Sequence, residues 1–402
     1  MRSSGYRMSL THPGTLLDEA AWFAGGGLTA ASAAVPREHI GGSPEALALT
    51  DLDVQAPGLR RLWHGLGLQG RIRFVRRLLL VGGEIAWGAG SDIAQEMLGG
   101  HRHDNILRSE EGRQPLAGLR GVAVYAHYCA SGRVSEMVLL QLRAYAAAGF
   151  AVVFVTASPT IAAADWSAVR SVATLLVHRR NHGLDFGAWR DLAQTVRRRW
   201  PELEELLLVN DSVLGPIRPL EPVFAALRAS GEGLFGLTDS FQGGSHLQSY
   251  FLLGRGRAVV DEILAFMHRA PISSSKWMMV QRCEMGLSRH MHRKGIRLGA
   301  LFGYDRLLAA INAQPGEGLA HLAAEPRRAV LRGQHLPSRP LNPVHHLWRP
   351  LVSLLGFPFL KTELVRRNPG RLPHIGSWMS LVGPDSPASQ AMLTQHLAEI
   401  GP

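Results

Sequence analysis

From about residue 118 onward, the sequence predicts an α/β fold with a mostly parallel sheet flanked by helices. Short apolar runs recur there, and each has the length of a buried strand. Segments without glycine or proline, long enough for helices, separate several of these runs. Strands and helices that alternate at this spacing are typical of βαβ units, which build parallel sheets.

The individual elements can be predicted in order. Strands are predicted at Gly121–His127, Ala151–Thr156, Ala173–Val177, Glu205–Val209 and Gly233–Leu237. A helix is predicted at Ser135–Ala148, and Gly149 is the residue that ends it. A second helix is predicted at Phe186–Arg199, after the polar turn Asn181–Asp185. The sheet edge is therefore expected to collect the loops that follow several buried strands.

The chain of 402 residues is 46% hydrophobic and 19% charged, which suits one large core with flanking modules. We expect an N-terminal helical or irregular region of unknown role at 1–115, the α/β domain at 118–305, and a basic, helical C-terminal extension at 306–402. The two cysteines, Cys129 and Cys283, lie far apart, which indicates a reducing compartment. We read neither a secretory signal nor a membrane span, so the expected location is cytoplasmic or peripheral on the inner face of the plasma membrane.

The formal charge of +11 comes almost entirely from arginine, because the chain has only three lysines, Lys276, Lys294 and Lys361. No helix-turn-helix, zinc-finger or RNA-binding aromatic motif accompanies the arginines, so nucleic acid is not an expected partner. Between Glu325 and Gly376 basic residues greatly outnumber acidic ones. This stretch suits contact with an anionic membrane face or a lipid pyrophosphate, and equally suits an ordinary solvated surface.

Polar residues follow the predicted strands one after another. Ligands of parallel sheets bind at the carboxyl ends of the strands, so these residues are candidates for a binding site. They are His127, Tyr128, Thr156, Asn181, Asp185, Asn210, Asp211, Ser212, Thr238, Asp239 and Ser240. Each one taken alone has a second interpretation, since Asp, Asn and Ser also favour turns and helix caps.

The stretch Leu207–Ser212 resembles the acidic strand-end signature of nucleotide-sugar transferases. In that signature a carboxylate holds a divalent cation against the nucleotide diphosphate. Here Asn210, Asp211 and Ser212 replace the usual D-x-D, so one carboxylate remains. A Mn²⁺ or Mg²⁺ ion at Asp211 is the expected cofactor, with Asp239 as a candidate second ligand.

Six blocks of sequence resemble one known family. In chain order they are Asn181–Arg190, Leu206–Pro216, Gly236–Ser240, His246–Phe251, Glu284–Ser288, and Leu341–Trp348 with Phe357–Leu364 and Arg367–Pro369. Together, over about residues 120–378, they resemble the rhamnan synthesis protein F family. The resemblance implies a GT-A-like (Rossmann-like) nucleotide-sugar-binding domain and a role in building rhamnose-containing or related surface polysaccharides.

The resemblance also implies roles for particular residues. Those implied at the nucleotide and donor sugar are Asn181, Gly183, Asp185 and Asp211; those implied in the donor and acceptor cleft are Asp239, His246 and Gln248. An inverting transfer needs a carboxylate that takes the proton of the acceptor hydroxyl. Glu284 occupies the place of that base, on a helix after the acceptor-side strand, and Asp239 is the second candidate. Alternatively, Glu284 is a surface residue paired with Arg282 or Arg289.

Two functions follow from these observations. The first is an inverting, hexosyltransferase-like glycosyltransferase that moves a sugar from a nucleotide-sugar donor to a cell-surface polysaccharide or a lipid-linked glycan. Rhamnose is a candidate sugar because it is the namesake of the family. The second is a non-catalytic assembly protein that retains the nucleotide-sugar fold, which Asn210 favours slightly because it replaces a carboxylate.

Overall fold

In a computed structural model of the chain, a nine-stranded sheet carries helices on both faces. The structure describes residues 47–54, 105–115, 119–242, 244–273, 275–316 and 341–401, with scattered single positions between 72 and 90. Most of the N-terminal region 1–115 therefore lies outside the described residues.

Strands are numbered here in chain order. They are β1 (Thr50–Asp51), β2 (Ile106–Glu111), β3 (Gly121–His127), β4 (Phe150–Thr156), β5 (Leu175–Arg179), β6 (Glu205–Asn210), β7 (Val213–Leu214), β8 (Gly233–Gly236), β9 (Asp239–Ser240), β10 (His246–Leu247), β11 (Phe251–Arg255), β12 (Leu298–Ala300) and β13 (Leu360–Lys361). The nine-stranded sheet has the order β1-β12-β8-β11-β6-β3-β4-β5-β2. Two small sheets pair β10 with β9 and β13 with β7.

All five predicted strands are present, and their ends lie within two residues of the predicted ones. The prediction of a mostly parallel sheet is confirmed, because six of the nine strands, namely β3, β4, β5, β6, β8 and β12, run in the same direction. Strands β5, β4, β3 and β6 are parallel, whereas β11 runs antiparallel to both β6 and β8. The apolar run Phe251–Arg255 does not reveal its direction, because a strand covered on both faces is apolar in either orientation.

The strands β5, β4, β3 and β6 are adjacent and parallel, and the order in which the chain adds them to the sheet reverses at β3. From β3 the chain steps outward to β4 and then β5, and it returns to place β6 on the other side of β3. If these four strands are numbered 1 to 4 in chain order, their order in the sheet is 3-2-1-4. This order puts a topological switch point between β3 and β6. The carboxyl ends of β3 and β6 therefore border the crevice in which open α/β sheets bind their ligands.

The helices are also numbered in chain order. They are α1 (Glu136–Ala147), α2 (Ala163–Val172), α3 (Leu184–Arg199), α4 (Glu221–Ala229), α5 (Arg257–Arg269), α6 (Lys276–Met279), α7 (Met285–Arg293), α8 (Tyr304–Ala313), α9 (Pro343–His346), α10 (Trp348–Leu355), α11 (Thr362–Arg367) and α12 (Gln390–Glu399). Both predicted helices are confirmed as α1 and α3. The hydroxyl of Ser135 caps α1, and Gly149 follows its end with φ +90°. In the part of the chain that the structure describes, no helix is both long and apolar enough to cross a membrane.

Two cores lie on opposite faces of the sheet, because neighbouring residues of a strand point to opposite sides. Tyr125 of β3 packs in a core with α1, α2, α4 and α8. Val124 packs in the other core with α3, α5 and α7. Placing helices on both faces buries the central strands completely, which is why their sequences are uninterrupted apolar runs.

The C-terminal segment 341–401 packs against the core that contains Tyr125. Leu347, Leu351, Phe357 and Phe359 belong to that core, and β13 pairs with β7. At the other end of the chain, β1 and β2 form the two edges of the large sheet. The division into 1–115, 118–305 and 306–402 stays a prediction, and strands from the first and third parts pair with strands of the second.

Candidate functional site

The loops that follow β3 and β6 meet at the switch point. Asp211, the first residue after β6, accepts at Oδ2 a 2.7 Å hydrogen bond from the backbone N–H of Tyr128, the first residue after β3. The N–H of Asp211 donates in turn to the carbonyl of Ala126 over 3.2 Å. The Tyr128 side chain stays exposed, with 44% of its surface accessible. Two predicted site residues are thus in direct contact at the carboxyl ends of β3 and β6.

Asn210, which precedes Asp211 in the chain, binds the first turn of α3. Its Nδ2 donates to Asp185 Oδ2 over 2.6 Å, and its Oδ1 accepts from the N–H of Ser212 at 3.1 Å and from the Ser212 hydroxyl. Asp185 lies in the first turn of α3. We call Asp185, Asn210, Asp211 and Ser212 the strand-end cluster. All four were predicted donor-side residues, and the structure brings them together.

A lysine from the C-terminal segment reaches the strand-end cluster. Pairing of β13 with β7 sets Lys361 opposite Val213, and its Nζ donates to Ser212 Oγ over 2.8 Å. The same ammonium lies 5.3 Å from the centroid of the Tyr250 ring. Lys361 was not among the predicted site residues. The available signal was its rarity, since the chain has three lysines among 43 basic residues.

Glu284, the predicted base, ends a π-helical turn at Val280–Glu284, between α6 and α7. Such turns within helices occur frequently at functional sites. Its Oε1 accepts a 2.8 Å hydrogen bond from the N–H of Ser249. The charge of Glu284 acts on both the Asp185 carboxyl and the Lys361 ammonium, so the three groups share one electrostatic environment.

Burial controls the ionisation of this site. It raises the pKa of Asp211 to about 7, with the negative charge of Asp185 adding to the effect. Burial also raises the pKa of Asp185 to about 6, although the Lys361 ammonium opposes this rise. The pKa of Lys361 is lowered by burial, against the attraction of Glu363, Glu284 and Asp185. Both aspartates therefore change charge near neutral pH.

His127 and Thr156 are the last residues of β3 and β4, and His127 Nδ1 lies 3.0 Å from Thr156 Oγ1. Thr156 Oγ1 also donates to Ser158 Oγ over 2.9 Å. Burial, followed by the influence of His396, lowers the pKa of His127 to about 3. The imidazole is therefore neutral at physiological pH. These two predicted donor-side residues hold the ends of adjacent strands together.

Gly183 and Asn181 lie in the loop before α3. Gly183 has φ +74°, and a Cβ at this position would lie 2.8 Å from Ile272 Cβ. A side chain there would be strained and crowded, so the position requires glycine. Asn181 is exposed in the same loop. The close approach of this loop to Ile272 fixes where α3 begins, and with it the position of Asp185.

The predicted residues of the donor and acceptor cleft hydrogen-bond with partners outside the strand-end cluster, although the Thr238 hydroxyl that binds Gln248 also lies 2.6 Å from the Tyr250 hydroxyl, and the Tyr250 ring lies beside Lys361. Asp239 Oδ1 accepts a 2.8 Å bond from the N–H of Tyr304, at the start of α8, and burial raises the pKa of Asp239 to about 7. His246 Nδ1 lies 2.7 Å from the backbone carbonyl two residues before it. Gln248 Oε1 accepts from the Thr238 hydroxyl over 2.7 Å. All three predicted residues are buried.

The side chains at Asp211 do not fit the predicted divalent-cation site. Asp211 Oδ2 already accepts the Tyr128 N–H, and Asn210 directs its amide nitrogen toward Asp185. The Lys361 ammonium stands beside them, where it would repel a metal ion. Among the described residues, no group of three or more His, Cys, Asp or Glu side chains is arranged to hold a metal. Metal binding at Asp211 stays a prediction from the sequence.

Comparison with known proteins bears on the segment that carries most of this site. Residues 152–315 match the family model of rhamnan synthesis protein F. Over these residues the match confirms the resemblance found in the sequence. The rhamnan synthesis protein F segment contains the strand-end cluster and Glu284. Strand β3 and the C-terminal blocks that include Lys361 lie outside the matched residues.

Curated relatives cover about half of the chain. The uncharacterized protein y4gN of Sinorhizobium fredii is 27% identical over 205 residues, which is 50% of this chain and 52% of that protein. The virulence protein VirA of Vibrio anguillarum is 28% identical over 206 residues, which is 50% of this chain and 65% of that protein. The chain thus spans less than two thirds of the length of each of these relatives.

Proposed function

We propose that this chain is a glycosyltransferase of cell-surface polysaccharide synthesis. It moves a sugar, with rhamnose as the first candidate, from a nucleotide-sugar donor to a polysaccharide or a lipid-linked glycan. The observation that carries the proposal is the convergence of the strand-end cluster at the switch point between β3 and β6. The strand-end cluster lies within residues 152–315, which match the rhamnan synthesis protein F family. The name of that family refers to polysaccharide synthesis.

A GT-A-like fold is part of this proposal. Its support is the β5-β4-β3-β6 order, which nucleotide-binding sheets share, followed by the antiparallel strand β11. We expect the nucleotide base against the exposed ring of Tyr128, because an aromatic ring offers a planar surface for stacking. The diphosphate then lies at Asp211 and Ser212, and the sugar extends toward Glu284.

Glu284 is the proposed base of an inverting transfer. The acceptor hydroxyl gives its proton to the Glu284 carboxylate while its oxygen attacks the anomeric carbon of the donor. The bond from that carbon to the diphosphate oxygen breaks, and its electron pair leaves with the nucleoside diphosphate. The hydrogen bond from Ser249 to Glu284 fixes one carboxylate oxygen and leaves the other free to face the acceptor.

A non-catalytic polysaccharide-assembly protein with a retained nucleotide-sugar fold is the second candidate. Asn210 favours it, since an amide replaces the first carboxylate of the D-x-D signature and binds Asp185. Release of nucleotide from the donor, measured with and without acceptor glycans, distinguishes the two functions. Turnover supports the transferase, whereas binding without turnover supports the assembly protein.

Calorimetric titration with nucleoside diphosphates and nucleotide-sugars tests the donor site, in EDTA and again in Mn²⁺ or Mg²⁺. We expect one nucleotide class to bind, and Asp211→Ala to lose it. In a thermal shift assay, a ligand at about 100 times its Kd adds about 2.7 kcal/mol to the free energy of unfolding. If no member of the panel binds under either condition, a nucleotide-sugar site is ruled out for this chain.

A further inference from the structure

Lys361 is a charged side chain of the site, and it has no role in the transfer proposed above. We propose that its ammonium binds the diphosphate of the donor directly, so that the chain binds a nucleotide-sugar without a divalent cation. The inference rests on the proposed function, because it assumes a nucleotide-sugar at the strand-end cluster. It assigns to the C-terminal segment a direct part in donor binding.

The position of Lys361 supports this role. The pairing of β13 with β7 holds its backbone next to Ser212, since the N–H of Thr362 donates to the Ser212 carbonyl over 3.1 Å. The side chain then reaches Ser212 Oγ at 2.8 Å. An ammonium has three N–H donors, and the bond to Ser212 engages one of them. Two donors remain for oxygens that a ligand brings to the ends of β3 and β6.

A second positive charge close to Lys361 supports an anionic ligand at this site. Glu363, Glu284 and Asp185 stabilise the ammonium of half-buried Lys361 against the burial that lowers its pKa. A second lysine, Lys276, lies nearby, with its Nζ 3.8 Å from Glu363 Oε2. Two of the three lysines in the chain thus lie at this one site. An ammonium is a compact point charge that suits a single phosphate oxygen, unlike the planar fork of arginine.

The same residues explain why a metal is not needed. In the acidic signature that the strand end resembles, a cation neutralises the diphosphate and is itself held by carboxylates. Here Asn210 supplies an amide, and Asp211 is engaged with the Tyr128 N–H. The ammonium of Lys361 carries a charge of +1 that is part of the protein, so it attracts the diphosphate without a bound metal ion. Lys361 therefore takes the place in the site that the sequence had predicted for Mn²⁺ or Mg²⁺.

Isothermal titration of the full chain with UDP, dTDP and GDP tests the inference, in EDTA and in Mg²⁺. The wild type is expected to bind one of the three equally well in both. Lys361→Met keeps the length of the side chain and removes its charge, and should weaken binding about tenfold to a hundredfold. Lys361→Arg keeps the charge and should retain part of the affinity. The matched control is Lys294→Met, since Lys294 pairs with Glu262 at the surface, with its Nζ 3.5 Å from Glu262 Oε1.

The outcomes separate the two proposals. Binding that appears only with Mg²⁺ or Mn²⁺, or a Lys361→Met variant with wild-type affinity, overturns the role of Lys361 and leaves the transferase proposal standing. A wild type that binds none of the three nucleotides in any condition overturns both. Circular dichroism shows whether Lys361→Met is folded. If it is not, Lys361→Gln and the metal dependence of the wild type decide the question.

Discussion

The backbone amide of Tyr128 donates to the carboxylate of Asp211 over 2.7 Å, and this bond joins the ends of β3 and β6. Hydrogen bonds to ionised acceptors are stronger than those between neutral groups, so this bond is strongest above the Asp211 pKa of about 7. The two loops that border the switch point are therefore fixed relative to each other before any ligand arrives. The exposed ring of Tyr128 is held next to the polar cluster by the same contact.

Two replacements of Asp211 should distinguish the contribution of its hydrogen bond with Tyr128 from the contribution of its charge. Asp211→Asn keeps an oxygen that accepts the Tyr128 N–H and removes a charge that burial disfavours, so it should be at least as stable as the wild type near pH 8. Asp211→Ala leaves that N–H without its acceptor and should cost about 1 kcal/mol of unfolding free energy. Urea denaturation of both variants measures the difference. Equal stability of the two variants would show that the bond to Tyr128 contributes nothing.

Removal of the Tyr128 ring should weaken nucleotide binding. Base stacking on an aromatic side chain contributes about 1–3 kcal/mol, so Tyr128→Ala is expected to raise Kd at least about tenfold. Tyr128→Phe keeps the ring and the backbone donor, and serves as the control. Titration with the nucleotide that the wild type binds measures both variants. Unchanged affinity in Tyr128→Ala would place the base elsewhere.

Glu284→Gln should abolish transfer while donor binding persists. The amide oxygen of glutamine still accepts the Ser249 N–H, but the side chain no longer takes a proton from the acceptor. Loss of a general base lowers rates about 10²–10⁴-fold. The transfer rate and the donor Kd are measured together. A transfer rate equal to that of the wild type would remove Glu284 from the mechanism.

The contribution of Asp211 and Asp185 to stability should fall as pH rises from about 4 to about 7. The folded-state pKa values of Asp211 and Asp185, about 7 and about 6, lie above the ordinary value of 3.8. Across this interval the two folded carboxyls hold protons that they release in the unfolded chain, so their contribution to the free energy of unfolding decreases with pH, whereas the lowered pKa of His127 contributes the opposite trend. The comparison with Asp211→Asn isolates the aspartate, and denaturation at several pH values should show the wild type losing stability relative to this variant as pH rises. Identical slopes in variant and wild type would contradict the raised pKa of Asp211.

Gly183→Ala should destabilise the loop that positions Asp185. Gly183 has φ +74°, and the added Cβ would lie 2.8 Å from Ile272 Cβ. Gly231 has φ +82° with open space around it, so Gly231→Ala measures the backbone strain alone. Positive-φ strain costs about 1–3 kcal/mol, and Gly183→Ala should exceed its control by the cost of crowding. Thermal unfolding of both variants, with nucleotide titration of Gly183→Ala, checks this. Equal destabilisation of the two variants would mean that Ile272 moves aside at no cost.

The sequence predicts the parts of the site that depend on local pattern. The apolar runs ending at His127 and Asn210 are buried strands, and the polar residues after them meet at one edge, as parallel strands require. The same reasoning chose Asp239, which follows β8. In the structure Asp239 instead binds the N–H of Tyr304 at the start of α8. A strand-end aspartate does not reveal in its own sequence which helix will pack beside it.

Long-range pairing accounts for what the sequence pattern missed. Lys361 reaches Ser212 from 149 residues further along the chain, through a strand of two residues. So short a strand has no recognisable period, and its partner β7 is equally short. The antiparallel direction of β11 is hidden for a related reason, since burial on both faces removes the alternation that would distinguish it.

The pairing of β13 with β7 also determines when the site can form during biosynthesis. The parallel strands β3 to β6 leave the ribosome well before residue 361 is added, and chains fold from the N-terminal side as they are made. The sheet can therefore pair while β7 still lacks its partner. A nascent chain in that state carries the strand-end cluster without Lys361, so the proposed donor site is complete only after translation has passed β13.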